Sequence, residues 1–167
     1  MKYNIRLEIP QDASDIRRVT EAAFKVAEHS SGAEGAIIDA LRAKNALALS
    51  LVATDEGEIV GHVAFSPVTI NGADIGWFGL GPVSVTPKLH GQGLGGMLIR
   101  AGLEQLKAIG AGGCVVLGDP DYYRRFGFEH DPAVRYDEAP PEYFMKLSLD
   151  GSKVSGSVAF HDGFSAS

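Results

Sequence analysis

Apolar and polar residues alternate through "YNIRLEI", residues 3–9, the period-two pattern of a half-buried strand, and Pro10 ends it. The period then lengthens. Asp12 or Ser14 is placed to cap a helix running to about Lys25, with Ile16, Val19 and Ala22/Ala23 on one face. "EHSSG" interrupts the pattern, and "AEGAIIDALRAKN", residues 33–45, predicts a second, shorter helix. Residues 47–85 are β-rich runs separated by "DEGE" and "NGAD". These are tight-turn sequences, and they predict consecutive antiparallel hairpins.

Next comes "VSVTPKLHGQGLGGMLI", residues 83–99, with Gly91, Gly93, Gly95 and Gly96 between a strand pattern and a helix that stops at Gly110. "GCVVLGD" predicts a short strand buried on both faces. "PDYYRRF" predicts a short helix that starts on proline and is ended by Gly127. "EYFMKLSL" and "VSGSVAFH" supply two further strands. The sum is one α/β domain of the α+β type spanning residues 1–167. Its sheet is mixed but mostly antiparallel, flanked by helices, with one strand–helix–strand crossover.

Composition narrows the chemistry. Hydrophobic residues make up 45% and charged residues 22% of 167, an ordinary globular balance. A net charge of −6 argues against a nucleic-acid partner, which needs a basic face, and mildly favours a cationic or amine-bearing one. Cys114 is the only cysteine, so neither a disulfide nor a thiolate metal cluster is expected, and no metal is predicted. No apolar run reaches the roughly 20 residues of a membrane span. "MKYNIRLEIPQD" lacks the features of a signal peptide, so no membrane partner and a cytoplasmic location are expected.

Glycine inside a helix costs roughly 1 kcal/mol, so four within six residues imply a backbone that must come very close to something. Amides converging on a helix N-terminus form an anion site. A P-loop reading fails, because Met97 and Leu98 follow Gly96 where Lys and Ser/Thr are required. A dinucleotide reading matches G-x-G-x-x-G literally at Gly91, Gly93 and Gly96, with Asp119 as the ribose acid. Against it, "TPKLH" separates strand from glycines, and too little chain follows Asp119 for a second nucleotide-binding half.

The third ligand is coenzyme A. "VSVTPKLHGQGLGGMLI" resembles the motif of the GNAT superfamily of acyl-CoA-dependent N-acyltransferases, V-x-V-x-P followed by Q/R-x-x-G-x-G/A. Gly93 and Gly95 fall on the G-x-G/A part, while His90 occupies the Gln/Arg position. "LVATDEGEIVGHVAFSPV" resembles the family's second and third strands, and "YRRFGF" its Y-x-x-x-G-F turn. "LGPVSV", "LGDPDYYRRFGF" and "PPEYFMKLSL" resemble the YhbS-like bacterial branch.

The resemblance implies the GNAT fold and acetyl transfer from acetyl-CoA to a primary amine of a small molecule or peptide. It implies a cofactor site at Val83, Ser84, Val85, His90, Gly91, Gln92, Gly93, Leu94, Gly95 and Gly96, and Tyr123 as the general acid. An amide freed by a bulge at "GLGP", that of Val83, would polarise the acyl carbonyl. Glu34 and Trp77 are expected at the acceptor. Glu28, His29, Glu34, His62 and Asp119 stay open as the base, since water can also carry the amine proton. Cys114 reads as a small buried hydrophobe rather than a nucleophile, so direct transfer in a ternary complex is expected. A non-catalytic acyl-CoA sensor and a nicotinamide-dependent oxidoreductase are the alternatives, and "VSGSVAFH" offers an edge for a homodimer.

Overall fold

The computed structural model describes residues 2–27 and 32–166. Strand β1 (Asn4–Leu7) precedes helices α1 (Ala13–Lys25) and α2 (Glu34–Ala43). Strands β2 (Leu49–Asp55), β3 (Glu58–Pro67), β4 (Thr69–Ile70) and β5 (Trp77–Val85) follow. Then come helix α3 (Leu94–Ala108), strand β6 (Gly113–Leu117), the one-turn helix α4 (Pro120–Tyr123), and strands β7 (Val134–Arg135), β8 (Phe144–Ser148) and β9 (Gly156–Ala159).

Six strands form one sheet in the order β1-β2-β3-β5-β6-β8, antiparallel except for the parallel β5–β6 pair that α3 connects. Both faces of this sheet are covered, and the strand sequences show it. In β2, Leu51 and Ala53 join the cluster under α3 with Leu94, Leu98, Ile99 and Leu106. Val52, pointing the other way, packs with Ile16, Val19 and Ile38 of α1 and α2. Each such buried Leu or Ile side chain contributes about 2 kcal/mol. Gly102 lets α3 close on the sheet, because a Cβ there would collide with the Phe65 ring.

The "DEGE" turn joins β2 to β3 with Glu56 and Gly57 both at positive φ, and "NGAD" repeats this with Asn71 and Gly72. The second turn does not lead straight from β3 to β5. It follows β4, which leaves the main sheet for a small one of order β4-β9-β7. Strand β9 therefore has a neighbour on each side, and "VSGSVAFH" offers no free edge for pairing across a dimer.

Two further expectations are corrected. Asp12 precedes α1 but does not cap it. Its carboxylate instead accepts from Arg6 at 2.7 and 3.1 Å and from the Ile9 amide at 2.8 Å, because the guanidinium of β1 lies within its reach. Trp77 is 1% exposed and lines no acceptor cavity. It sits at the start of β5 in the core, its indole against Gly112 and Gly113, where any side chain would clash. Aromatic bulk won over pocket lining there.

Candidate functional site

The main sheet opens between β5 and β6. Their parallel pairing covers only Trp77–Gly79 against Gly113–Val115, and beyond it the two strands part. On the other edge of β5, Gly81 and Pro82 face the single residue Ala64 of β3, a bulge at the "GLGP" sequence. After the bulge the ladder resumes, with Val63 opposite Val83 and His62 opposite Ser84. The Thr86 amide donates to Val60 at 2.9 Å. By strand alternation, Val83 and Val85 then turn their N–H and C=O groups away from β3, into the opening.

Glycine loop and helix start complete one side of the gap. Gly91 and Gly93 have φ of 79° and 83°, and Gly93 is the left-handed residue from which α3 springs. Among the described residues, none accepts from the amides of Gly91 to Gly96; the first bond of the helix is Met97 to Gly93 at 3.1 Å. Six successive free donors at the positive end of a 15-residue helix are an anion cradle. A groove of about 450 Å³ lies over it, lined by the loop, Val83–Val85, Phe24, Tyr122 and Arg125.

The side chains predicted for this groove divide. Val83 and Val85 face α3, lying 3.9 Å from where a Gly95 Cβ would stand. Ser84 points the opposite way, its buried hydroxyl 3.2 Å from that of Thr20 on α1. His90 holds its Nε2 2.6 Å from the Val85 carbonyl. Gln92 turns outward to accept from the Tyr3 hydroxyl at 3.3 Å. Arg125 was missed by sequence reasoning. It stacks on the Tyr122 ring at 4.6 Å and brings a fixed cation to the groove; the basic pair in "YYRRF" was its signal.

A second cavity, of about 460 Å³, adjoins the first across Phe24 and Val83, which line both. Helix α4 sets the division: Tyr122 lines the glycine groove, and Tyr123, one residue on, lines the second cavity. The Tyr123 ring rests on Gly118, where a Cβ would lie 2.5 Å from it, and meets Tyr122 edge-on at 5.0 Å and Phe128 at 6.0 Å. Its hydroxyl makes no hydrogen bond among the described residues. Burial pushes the phenol up to about 12, with the Tyr122, Cys114 and Asp119 charges adding to it, so it is a proton carrier at any ordinary pH.

Around Tyr123 the walls are mainly apolar: Phe24, Ile37, Leu80, Leu117, Phe160 and Phe164, with Pro82, Tyr136 and Glu34. The expected acceptor residue Glu34 is thus in the same cavity as Tyr123. The candidate bases fare differently. Glu28 and His29 lie outside the described residues. Asp119 caps α4, accepting from Asp121 N–H at 2.9 Å. His62 is fully buried on β3, Nε2 2.7 Å from Ser50 Oγ, and burial drives its pKa down to about 3, helped by Arg42. It lines neither cavity. Cys114 is wholly buried with its thiol pushed up by desolvation, which is the wrong state for a nucleophile. No three His, Cys, Asp or Glu side chains converge on a metal position among the described residues, and no helix among them is long and apolar enough to cross a membrane.

Comparison with known proteins bears on this geometry. Residues 4–130 match the family described as the acetyltransferase (GNAT) domain. The chain is 40% identical to the uncharacterized N-acetyltransferase YhbS of Escherichia coli (strain K12), over 96% of this chain and 97% of that protein. Among solved structures, a GNAT family acetyltransferase from Brucella melitensis in complex with acetyl-CoA superposes with a TM-score of 0.87 at 54% identity, covering 97% of both chains. YhbS from Escherichia coli in complex with CoA superposes with a TM-score of 0.89 at 38% identity, covering 99% of this chain and 93% of that one.

Proposed function

The chain belongs to the GNAT acetyltransferase family, and from that premise we propose that it moves an acetyl group from acetyl-CoA to a primary amine of a small molecule or peptide, directly, in a ternary complex. The observation that carries this reading is the pair of adjoining cavities: a cradle of free amides on one side, a protonated, unbonded phenol on the other, with the opened edge of β5 between them. The groove fits coenzyme A in kind. It offers amides for a diphosphate, the Arg125 cation for phosphate charge, and free strand edges for an amide-bearing arm. The Brucella and Escherichia coli relatives, which hold acetyl-CoA and CoA in the same fold, support the assignment.

Acetyl-CoA supplies an activated thioester; this chain's residues supply position and charge. In the reading we favour, the amides from Gly91 to Gly96 hold the diphosphate, with Leu94 among them, and Gln92 and His90 steady the loop through Tyr3 and Val85. Val83 directs its N–H at the acyl oxygen and stabilises the negative charge that grows there. Glu34 contacts the incoming amine. The apolar walls favour the neutral amine, the form that can attack. As the C–N bond forms and the C–S bond breaks, Tyr123 donates toward the departing sulfur while the nitrogen's surplus proton leaves to water.

A phenol at about 12 is a weaker acid than an ordinary thiol near 8.5, and each unit of mismatch costs about 1.4 kcal/mol. Tyr123 therefore acts first as a hydrogen-bond donor to developing charge. Full transfer to sulfur is uphill in water and needs the thiolate to be desolvated as the phenol is. Steady-state thiol release with both substrates varied tests the scheme. Intersecting double-reciprocal lines are expected; parallel lines would require an acyl-enzyme, and no release with any amine, peptide or aminoglycoside would leave only a cofactor-binding module.

A further inference from the structure

Beside the cavity of Tyr123 lies another of about 440 Å³, and the same three rings, Tyr136, Phe160 and Phe164, bound both. Phe160 stands edge-on to Tyr136 at 5.1 Å and tilted to Phe164 at 5.3 Å, so the rings turn faces in different directions. They are firmly seated. The Phe160 ring lies over Gly79 of β5, where a Cβ would come within 2.8 Å, and the turn carrying Phe164 packs Gly163 on Leu41 of α2.

The polar lining of this outer cavity has one sign. Asp137, Glu138 and Asp162 line it, and neither it nor the Tyr123 cavity is lined by a lysine or arginine. Asp137 accepts from Ser157 Oγ at 3.4 Å and Glu138 from the Tyr136 hydroxyl at 3.0 Å, both neutral donors. None of the three carboxylates has an ion-pair partner among the described residues. His161 also lines the cavity, its Nδ1 accepting from the Gly163 amide at 3.0 Å. Ring faces carry negative potential and attract cations. The three carboxylates are exposed and alone would be a solvated rim; around a cavity lined by three aromatic side chains they are complementary to an organic cation.

Accepting that the Tyr123 cavity receives the amine, we infer that the acceptor is a diamine, polyamine or similarly dicationic molecule, whose second, protonated nitrogen sits in the aromatic–acidic cavity formed by Tyr136, Phe160, Phe164, Asp137, Glu138 and Asp162. The two cavities divide the work by polarity. The Tyr123 cavity, apolar but for Glu34, receives the nitrogen that attacks, and the outer one, with three carboxylates, holds the nitrogen that stays charged. An anionic acceptor is rejected by the same carboxylates.

Titration calorimetry on the full chain saturated with CoA tests this. The probes are putrescine against butylamine and cadaverine against pentylamine, the monoamines of matching length, with spermidine as a longer polyamine. Diamines should bind at least about tenfold tighter than their monoamine partners, with an affinity that falls as salt rises. The triple variant D137N/E138Q/D162N should bind both kinds alike, with CoA affinity unchanged. If that variant does not fold, the wild-type salt dependence decides alone. Equal affinity for mono- and diamine, absence of diamine binding, or a salt-independent difference overturns the inference. Thiol release from acetyl-CoA with the same probes keeps the two ideas apart. Tight diamine binding without release sinks the acyl-transfer reading and spares the cavity, whereas release at equal rates with no binding preference does the reverse.

Discussion

Gly93 and Gly57 make a matched pair. Both have φ of 83°, and at both a Cβ would meet no atom within 4 Å. One starts α3 beneath the groove; the other sits in the turn between β2 and β3 and lines neither cavity. Alanine at either must adopt a left-handed backbone, costing about 1–2 kcal/mol. For a chain of this size that lowers the melting temperature by roughly 2–8 °C. The stability losses should therefore match. Cofactor affinity should not. At Gly93 the strained backbone also turns neighbouring amides off their common focus. Losing two hydrogen bonds to a charged phosphate, each about 1.5–3 kcal/mol, weakens acetyl-CoA binding at least about a hundredfold. Thermal melts beside calorimetric titration of acetyl-CoA measure both quantities on both variants. If Gly93→Ala and Gly57→Ala lose equal stability and both bind acetyl-CoA like the parent, the amide cradle is not the phosphate site.

Three more outcomes are expected. Because burial raises Tyr123 to about 12, its proton is held below that pH and lost above it. The rate should climb as the acceptor amine deprotonates and then level off, with no falling limb before about pH 11; a limb near 10 that vanishes in Tyr123→Phe would contradict the burial argument. Cys114→Ala should keep kcat within about twofold while lowering the melting temperature, since it removes only buried packing; abolished turnover in a folded variant would mean a covalent route. His90→Arg keeps a donor within reach of the Val85 carbonyl and should leave turnover largely intact, as initial rates will show, and a large loss would assign His90 a role beyond loop support.

The glycine loop of the candidate site was legible because its residues are constrained by backbone geometry. Left-handed positions admit few residue types, so Gly91, Gly93, Gly110 and Gly127 marked the loop, the helix end and the turn after Tyr123. The doubled bulge residues Gly81 and Pro82 were likewise readable. The aromatic side of the Tyr123 cavity was not. Tyr136, Phe160 and Phe164 come from short irregular segments whose neighbours are set by two-residue strands, β4 and β7, too brief to leave a period. Trp77 shows the converse difficulty: an aromatic in a strand carries no mark telling wall from core, and Val115, Phe144 and Val158 are among the side chains that bury it. The Ser50–His62 bond is also invisible in sequence, since the partners meet only through the β2–β3 register.

In the proposed reaction Tyr123 assists acetyl transfer from a cofactor held in the adjoining groove. Tyr123→Phe removes one oxygen from a ring that Gly118 and Phe128 hold in place, so fold and groove remain. The decisive measurement is amine-dependent thiol release by parent and variant at saturating acetyl-CoA, with the acetyl-CoA dissociation constant measured alongside. A fall in kcat of about a hundredfold or more with an unchanged dissociation constant is expected. Equal turnover in the two proteins would contradict it.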